Sequence, residues 1–114
     1  MVPRQLLVVS DQPGLAGVIE RTVVNRNVTV TGTSIAGAVH ASAETQPQAV
    51  VLDLPHAAHH ALATLGDLRV PRPGLPALVL AHDADGLEGL FAIDVLMKPF
   101  VLDALRQALE RLIG

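Results

Sequence analysis

Three charged side chains close three apolar runs in this sequence. Asp11 follows Leu6, Leu7, Val8, Val9 and Ser10; Asp53 follows Val50, Val51 and Leu52; Lys98 follows Val95, Leu96 and Met97. Lys98 is the only lysine, and the other seven basic residues are all arginine. Arg is a rigid planar fork, whereas Lys is a compact point charge on a flexible stem, so a single Lys among arginines suggests a task that Arg cannot perform. Pro99 follows it, which biases Lys98 toward extended backbone and reads as a strand ending in a fixed turn that aims the ammonium outward. Taken singly, each of these residues reads as a solvated strand end. Carboxylates and an ammonium ending otherwise apolar strands must be paired or hydrated, and such sets are where functional sites are found.

Their positions depend on the elements that carry them. The runs at 5–9, 49–54 and 77–81 are nearly continuous in Val, Leu and Ala, the pattern of parallel strands buried on both faces. At 28–33, Val28 and Val30 alternate with Thr29, Thr31 and Thr33, which predicts a half-exposed edge strand. A fifth short strand is expected at 94–97. Between them apolar residues recur at helical spacing: Leu15, Val18, Ile19 and Val23; Ile35, Ala38 and Val39; Ala58, Ala61, Leu62 and Leu65; and Leu102, Leu105, Leu109, Leu112 and Ile113. Turns are marked by Gln12-Pro13-Gly14, Gln46-Pro47-Gln48 and Val70-Pro71-Arg72-Pro73-Gly74.

Five strands alternating with helices predict an α/β fold: a doubly wound, five-stranded parallel sheet with helices on both faces and right-handed crossovers. Setting the alternating strand at the edge gives the flavodoxin-like order 2-1-3-4-5, with the most apolar strands inside and ligands beyond the carboxyl ends of strands 1 and 3. Ser10-Asp11, Asp53, Ala81-His82-Asp83 and Lys98 all fall at that rim. The chain has 114 residues, enough for one domain spanning 1–114, of which 50% are hydrophobic and 17% charged. It has no cysteine, hence neither disulfides nor thiolate metal ligands, and no apolar run of membrane-spanning or signal-peptide length. A cytoplasmic domain is expected. A net charge of -3, no basic stripe and only Phe91 and Phe100 as aromatics argue against nucleic-acid binding by this domain.

Asp11, Asp53-Leu54 and Lys98-Pro99-Phe100, in that strand context, resemble the receiver domains of two-component response regulators, over essentially the whole chain. The resemblance implies that Asp53 accepts a phosphoryl group from a histidine kinase or phosphotransfer protein, that Lys98 pairs with the phosphoryl oxygens, and that the bond from Lys98 to Pro99 is cis. It also implies that Mg²⁺ is held by Asp11, Asp53 and the backbone carbonyl of Pro55. Phosphoryl transfer requires an in-line nucleophile and cations that neutralise the equatorial oxygens, and Mg²⁺ prefers oxygen donors, so the residue types suit the role.

The sequence also departs from that family. Paired acids after strand 1 are replaced by Ser10-Asp11, so a weak and readily empty Mg²⁺ site is expected. The Thr or Ser that ends strand 4 in the family is Ala81, and the switch aromatic of strand 5 is Val95. A hydrogen bond to a charged group contributes roughly 1.5–3 kcal/mol, comparable to allosteric couplings of about 1–3 kcal/mol, so losing it weakens the switch. Between strands 4 and 5 only a short fourth helix, about two turns from Leu87 to Ala92, is expected, and it contains Gly89. In the family that segment, with strand 5 and the last helix, forms the surface that dimerises or contacts an output partner, so the resemblance implies a homodimer or output domain engaging there. His56, His59, His60 and His82 offer a weaker alternative, a transition-metal cluster with the carboxylates.

Two functional classes follow. One is an atypical receiver phosphorylated on Asp53 with a weakened switch; the other is a phosphorylation-independent pseudo-receiver that acts as a protein-interaction module. An enzyme is not expected, because there is no Gly-rich phosphate loop, no nucleophile elbow and no aromatic pair to sandwich a flavin. The chain ends where its last helix ends, which suits either a free-standing domain or part of a longer regulator.

Overall fold

The computed structural model describes residues 3–54, 59–83, 87 and 89–114, apart from the side chains of 59–61. In chain order the elements are β1 (Arg4–Val9), α1 (Leu15–Thr22), β2 (Val28–Thr33), α2 (Ala38–Thr45), β3 (Ala49–Asp53), α3 (His59–Leu68), β4 (Ala77–Ala81), β5 (Ile93–Met97) and α4 (Leu102–Ile113). The strands form one parallel sheet in the order β2-β1-β3-β4-β5, as the sequence predicted.

Side chains alternate between the two faces of a strand, and both faces here are covered, which accounts for the unbroken apolar runs. Leu7 and Val9 of β1, Val50 and Leu52 of β3, and Val79 of β4 pack on one face with Ala38 of α2 and Leu65 and Leu68 of α3. Leu6, Val8, Val51, Leu78 and Leu80 point the other way, onto Ile19 of α1 and Leu105, Ala108 and Leu109 of α4. Every residue of β3 and β4 is buried. The outer strands β2 and β5 keep partial exposure, as expected of strands paired on one side only.

Two glycines are required by the backbone. Gly14 precedes α1 at φ +91°, a left-handed conformation that glycine adopts without steric cost. Gly32 of β2 lies so close to α1 that a Cβ there would meet the Cβ of Ala16 at 2.7 Å.

The connection from β4 to β5 differs from the predicted short helix. Among its described residues, Leu87, Gly89, Phe91 and Ala92 lie in turns rather than in a helix. Gly89 has φ +79° and Ala92 φ +55°, so two left-handed residues interrupt any helical run. Arg69 holds the end of this connection: its guanidinium donates to the carbonyls of Leu75 at 2.8 Å and Ala92 at 3.1 Å, while Ala77 N–H also donates to Ala92. Burial lowers the pKa of Arg69 from its ordinary value, and both carbonyls compensate the partly desolvated charge.

Candidate functional site

The parallel arrangement brings the carboxyl ends of β1, β3, β4 and β5 to one rim, and the charged groups meet there. Asp53, the last residue of β3, is 5% exposed. Its Oδ1 pairs with the Lys98 ammonium, whose side chain is 17% exposed. Lys98 reaches it because its own N–H continues the β4–β5 ladder, donating to Ala81 O at 2.7 Å, and because Nζ also donates to the Leu54 carbonyl at 2.9 Å. The Lys98-Pro99 bond is cis.

The other oxygen of Asp53 is also occupied. Ser10 Oγ donates to Asp53 Oδ2 at 2.6 Å and accepts the Gln12 N–H at 2.9 Å. Ser10 is fixed through its backbone, its N–H donating to Thr33 O at 2.9 Å. A carboxylate removed from water must have its oxygens satisfied, and here one ammonium and one hydroxyl do so.

Asp11 is turned elsewhere. Its Oδ1 accepts the backbone N–H of Ile35 at 3.1 Å, in the turn between β2 and α2. The structure therefore brings Asp53, Lys98 and Ser10 together and directs the Asp11 carboxylate toward the neighbouring loop. His82 and Pro99 line, with Asp53 and Lys98, an open cleft of about 830 Å³ that also includes Arg21, Leu80 and Phe100. Ala81 is buried at the end of β4, and Val95 is half-buried against the α2–α3 side of the core. Pro55, His56 and the side chains of His59 and His60 lie outside the described residues. Among the described residues, no group of three or more His, Cys, Asp or Glu is placed to hold a metal ion.

Sequence reasoning missed the groups that position these side chains: the Gln12 and Ile35 amides and the Leu54 carbonyl. Backbone groups carry no residue-type signal, so nothing in the sequence marks them. Arg21, a wall of the cleft, was not singled out by the sequence.

No protein-family profile matches the chain. It is 36% identical over 108 residues to the "Probable transcriptional regulatory protein TcrX" of Mycobacterium tuberculosis, spanning 89% of this chain and 46% of that protein, so it covers about half of its relative's length. Among solved structures it is similar to the beryllofluoride-activated NtrC receiver domain, with a TM-score of 0.78, 26% identity and coverage of 99% of this chain and 96% of that one. It is also similar to the receiver domain of the sensor histidine kinase PA1611 from Pseudomonas aeruginosa, solved with a magnesium ion in its active-site cleft. That likeness has a TM-score of 0.71 and 22% identity over 98% of both chains. No helix among the described residues is long and apolar enough to cross a membrane. Along nearly its whole length the chain has the fold of the receiver domains of two-component response regulators.

Proposed function

We propose that this domain accepts a phosphoryl group on Asp53 from a histidine kinase or phosphotransfer protein and transmits it through a weakened switch. The observation that carries the reading is the pairing of a buried carboxylate with the only lysine at the mouth of an open cleft. In the transfer, an Asp53 carboxylate oxygen attacks phosphorus and the donor's P–N bond breaks, its electron pair leaving with the imidazole nitrogen. Lys98 stays beside the phosphoryl oxygens. Positioning and charge neutralisation are most of what this chemistry asks of a protein.

Mg²⁺ would be held by Asp53, Asp11 and the Pro55 carbonyl, an all-oxygen set that fits a hard cation in kind, with Pro55 outside the described residues. When bound it supplies charge neutralisation on the phosphoryl oxygens. With two carboxylates rather than three, and Asp11 engaged by Ile35, weak binding is expected.

The weakened switch is supported by Ala81, which offers a phosphoryl group no hydroxyl, and by Val95, which has no ring to relocate. The same residues, with Ser10, favour the second reading, a pseudo-receiver that acts through protein contact. A cytoplasmic setting and a homodimer or output partner at the β5–α4 side belong to both readings, and neither makes the domain an enzyme.

The deciding experiment is incubation of the chain and of Asp53→Asn with a small-molecule phosphodonor and Mg²⁺, followed by intact mass. Slow or partial addition of one phosphoryl group to the unaltered chain and none to the variant is expected. No addition to either protein moves the assignment to the pseudo-receiver.

A further inference from the structure

We infer that Ser10 occupies, from within the chain, the place on Asp53 that a divalent cation would take, and so competes with the cation rather than serving as its ligand. The inference rests on the reading of this rim as a Mg²⁺ and phosphoryl site. An ionised carboxylate only accepts hydrogen bonds, so the proton of the 2.6 Å contact belongs to Ser10 and points at Asp53 Oδ2. The Gln12 N–H fills a lone pair of the same hydroxyl at 2.9 Å, which keeps the proton off that position and is consistent with its pointing at Asp53. Oδ1 is already held by Lys98. Each oxygen of the buried carboxylate therefore already has a partner within the chain itself.

The second acid is held in a comparable way, since Asp11 Oδ1 accepts the Ile35 N–H at 3.1 Å. Cation entry thus requires two exchanges: the Ser10 proton must leave Asp53, and Asp11 must release Ile35. The Ser10 backbone is anchored to Thr33 O at 2.9 Å, so the exchanges are side-chain rotations rather than a shift of the loop. Occupancy of the rim is then coupled to the turn that leads into α2, where Ser34 Oγ accepts the Gly37 N–H at 3.1 Å.

The test is a Mg²⁺ titration of the full chain, Ser10→Ala and Ser10→Thr, followed by backbone amide spectra whose dispersion also reports folding. Ser10→Ala has lost an oxygen, yet it should bind Mg²⁺ roughly tenfold more tightly, the equivalent of one hydrogen bond to a charged group. Ser10→Thr keeps the hydroxyl and should match the unaltered chain. The Ile35 amide resonance should move with the same midpoint as binding in all three. If Ser10→Ala does not fold, the isosteric pair Ser10→Val and Ser10→Thr gives the same comparison, with Val the tighter binder. Weaker binding by the hydroxyl-free variant would make Ser10 a ligand and overturn the inference, as would binding that leaves Ile35 unmoved. Absence of any Mg²⁺-dependent change in every protein would instead overturn the metal site itself, and the inference with it.

Discussion

Lys98 and Asp53 form an ion pair in which both partners have left most of their water, so each depends on the other. Removing one partner of a buried pair leaves an uncompensated charge, whereas removing both is far less costly. Lys98→Met should therefore destabilise the domain by about 3 kcal/mol, the low end for buried pairs because the ammonium keeps some solvent contact. Adding Asp53→Asn to that variant should recover part of the loss, a coupling that urea denaturation of the single and double variants measures. A loss below about 1 kcal/mol for Lys98→Met would equate the pair with an exposed surface bridge.

Elements carry the site through close packing and through their ends. Helix α1 lies against β2 where Gly32 faces Ala16, so Gly32→Ala should destabilise by about 1–3 kcal/mol, the usual cost of overpacking. Gly32→Ala combined with Ala16→Gly should recover much of that, since the clashing Cβ is then removed; thermal melts of the three variants check it. In the first turn of α4, Asp103 accepts hydrogen bonds from Arg106 at 2.6 Å and from Gln107 at 2.9 Å. The hydrogen bond from Arg106, and then its charge, lower the Asp103 pKa. A carboxylate with a lowered folded pKa contributes stability above its unfolded value, about 3.9, and that contribution is lost as pH falls through the folded value. Asp103→Asn should therefore melt slightly below the unaltered chain at neutral pH, with the difference closing under acid conditions and shrinking in high salt.

At the scale of the whole molecule, α4 packs on the face of the sheet built by Val8, Val51, Leu78 and Leu80, while Ala81 and Val95 belong to the opposite, α2–α3 face. Neither residue carries a hydroxyl or a ring with which a phosphoryl group could engage that end of the sheet, and the β4–β5 connection has turns in its described residues where a helix was expected. Beryllofluoride with Mg²⁺ should accordingly shift amides of the rim loops while leaving 89–92 and α4 nearly unmoved. Ala81→Thr should extend the shifts into β5 and α4. Large shifts in α4 of the unaltered chain would show that the switch is intact.

The order of the sheet was legible because burial on two faces, burial on one and solvent exposure leave different apolar patterns, and those patterns identify inner and outer strands. Once that order is known, the approach of Asp53 and Lys98 follows, since they end the strands on either side of β4 in one parallel sheet. The rotamers within the rim were not legible. Ser10 finds Asp53 across 43 residues and Asp11 finds the Ile35 amide across 24, contacts that exist only after separate strands have paired. The turn at 89–92 was missed because a sequence shows that a glycine permits left-handed backbone without showing that the tertiary contacts demand it. Apolar spacing reports which face of an element is buried, whereas the aim of a polar side chain is decided by whichever backbone donor the finished fold leaves beside it.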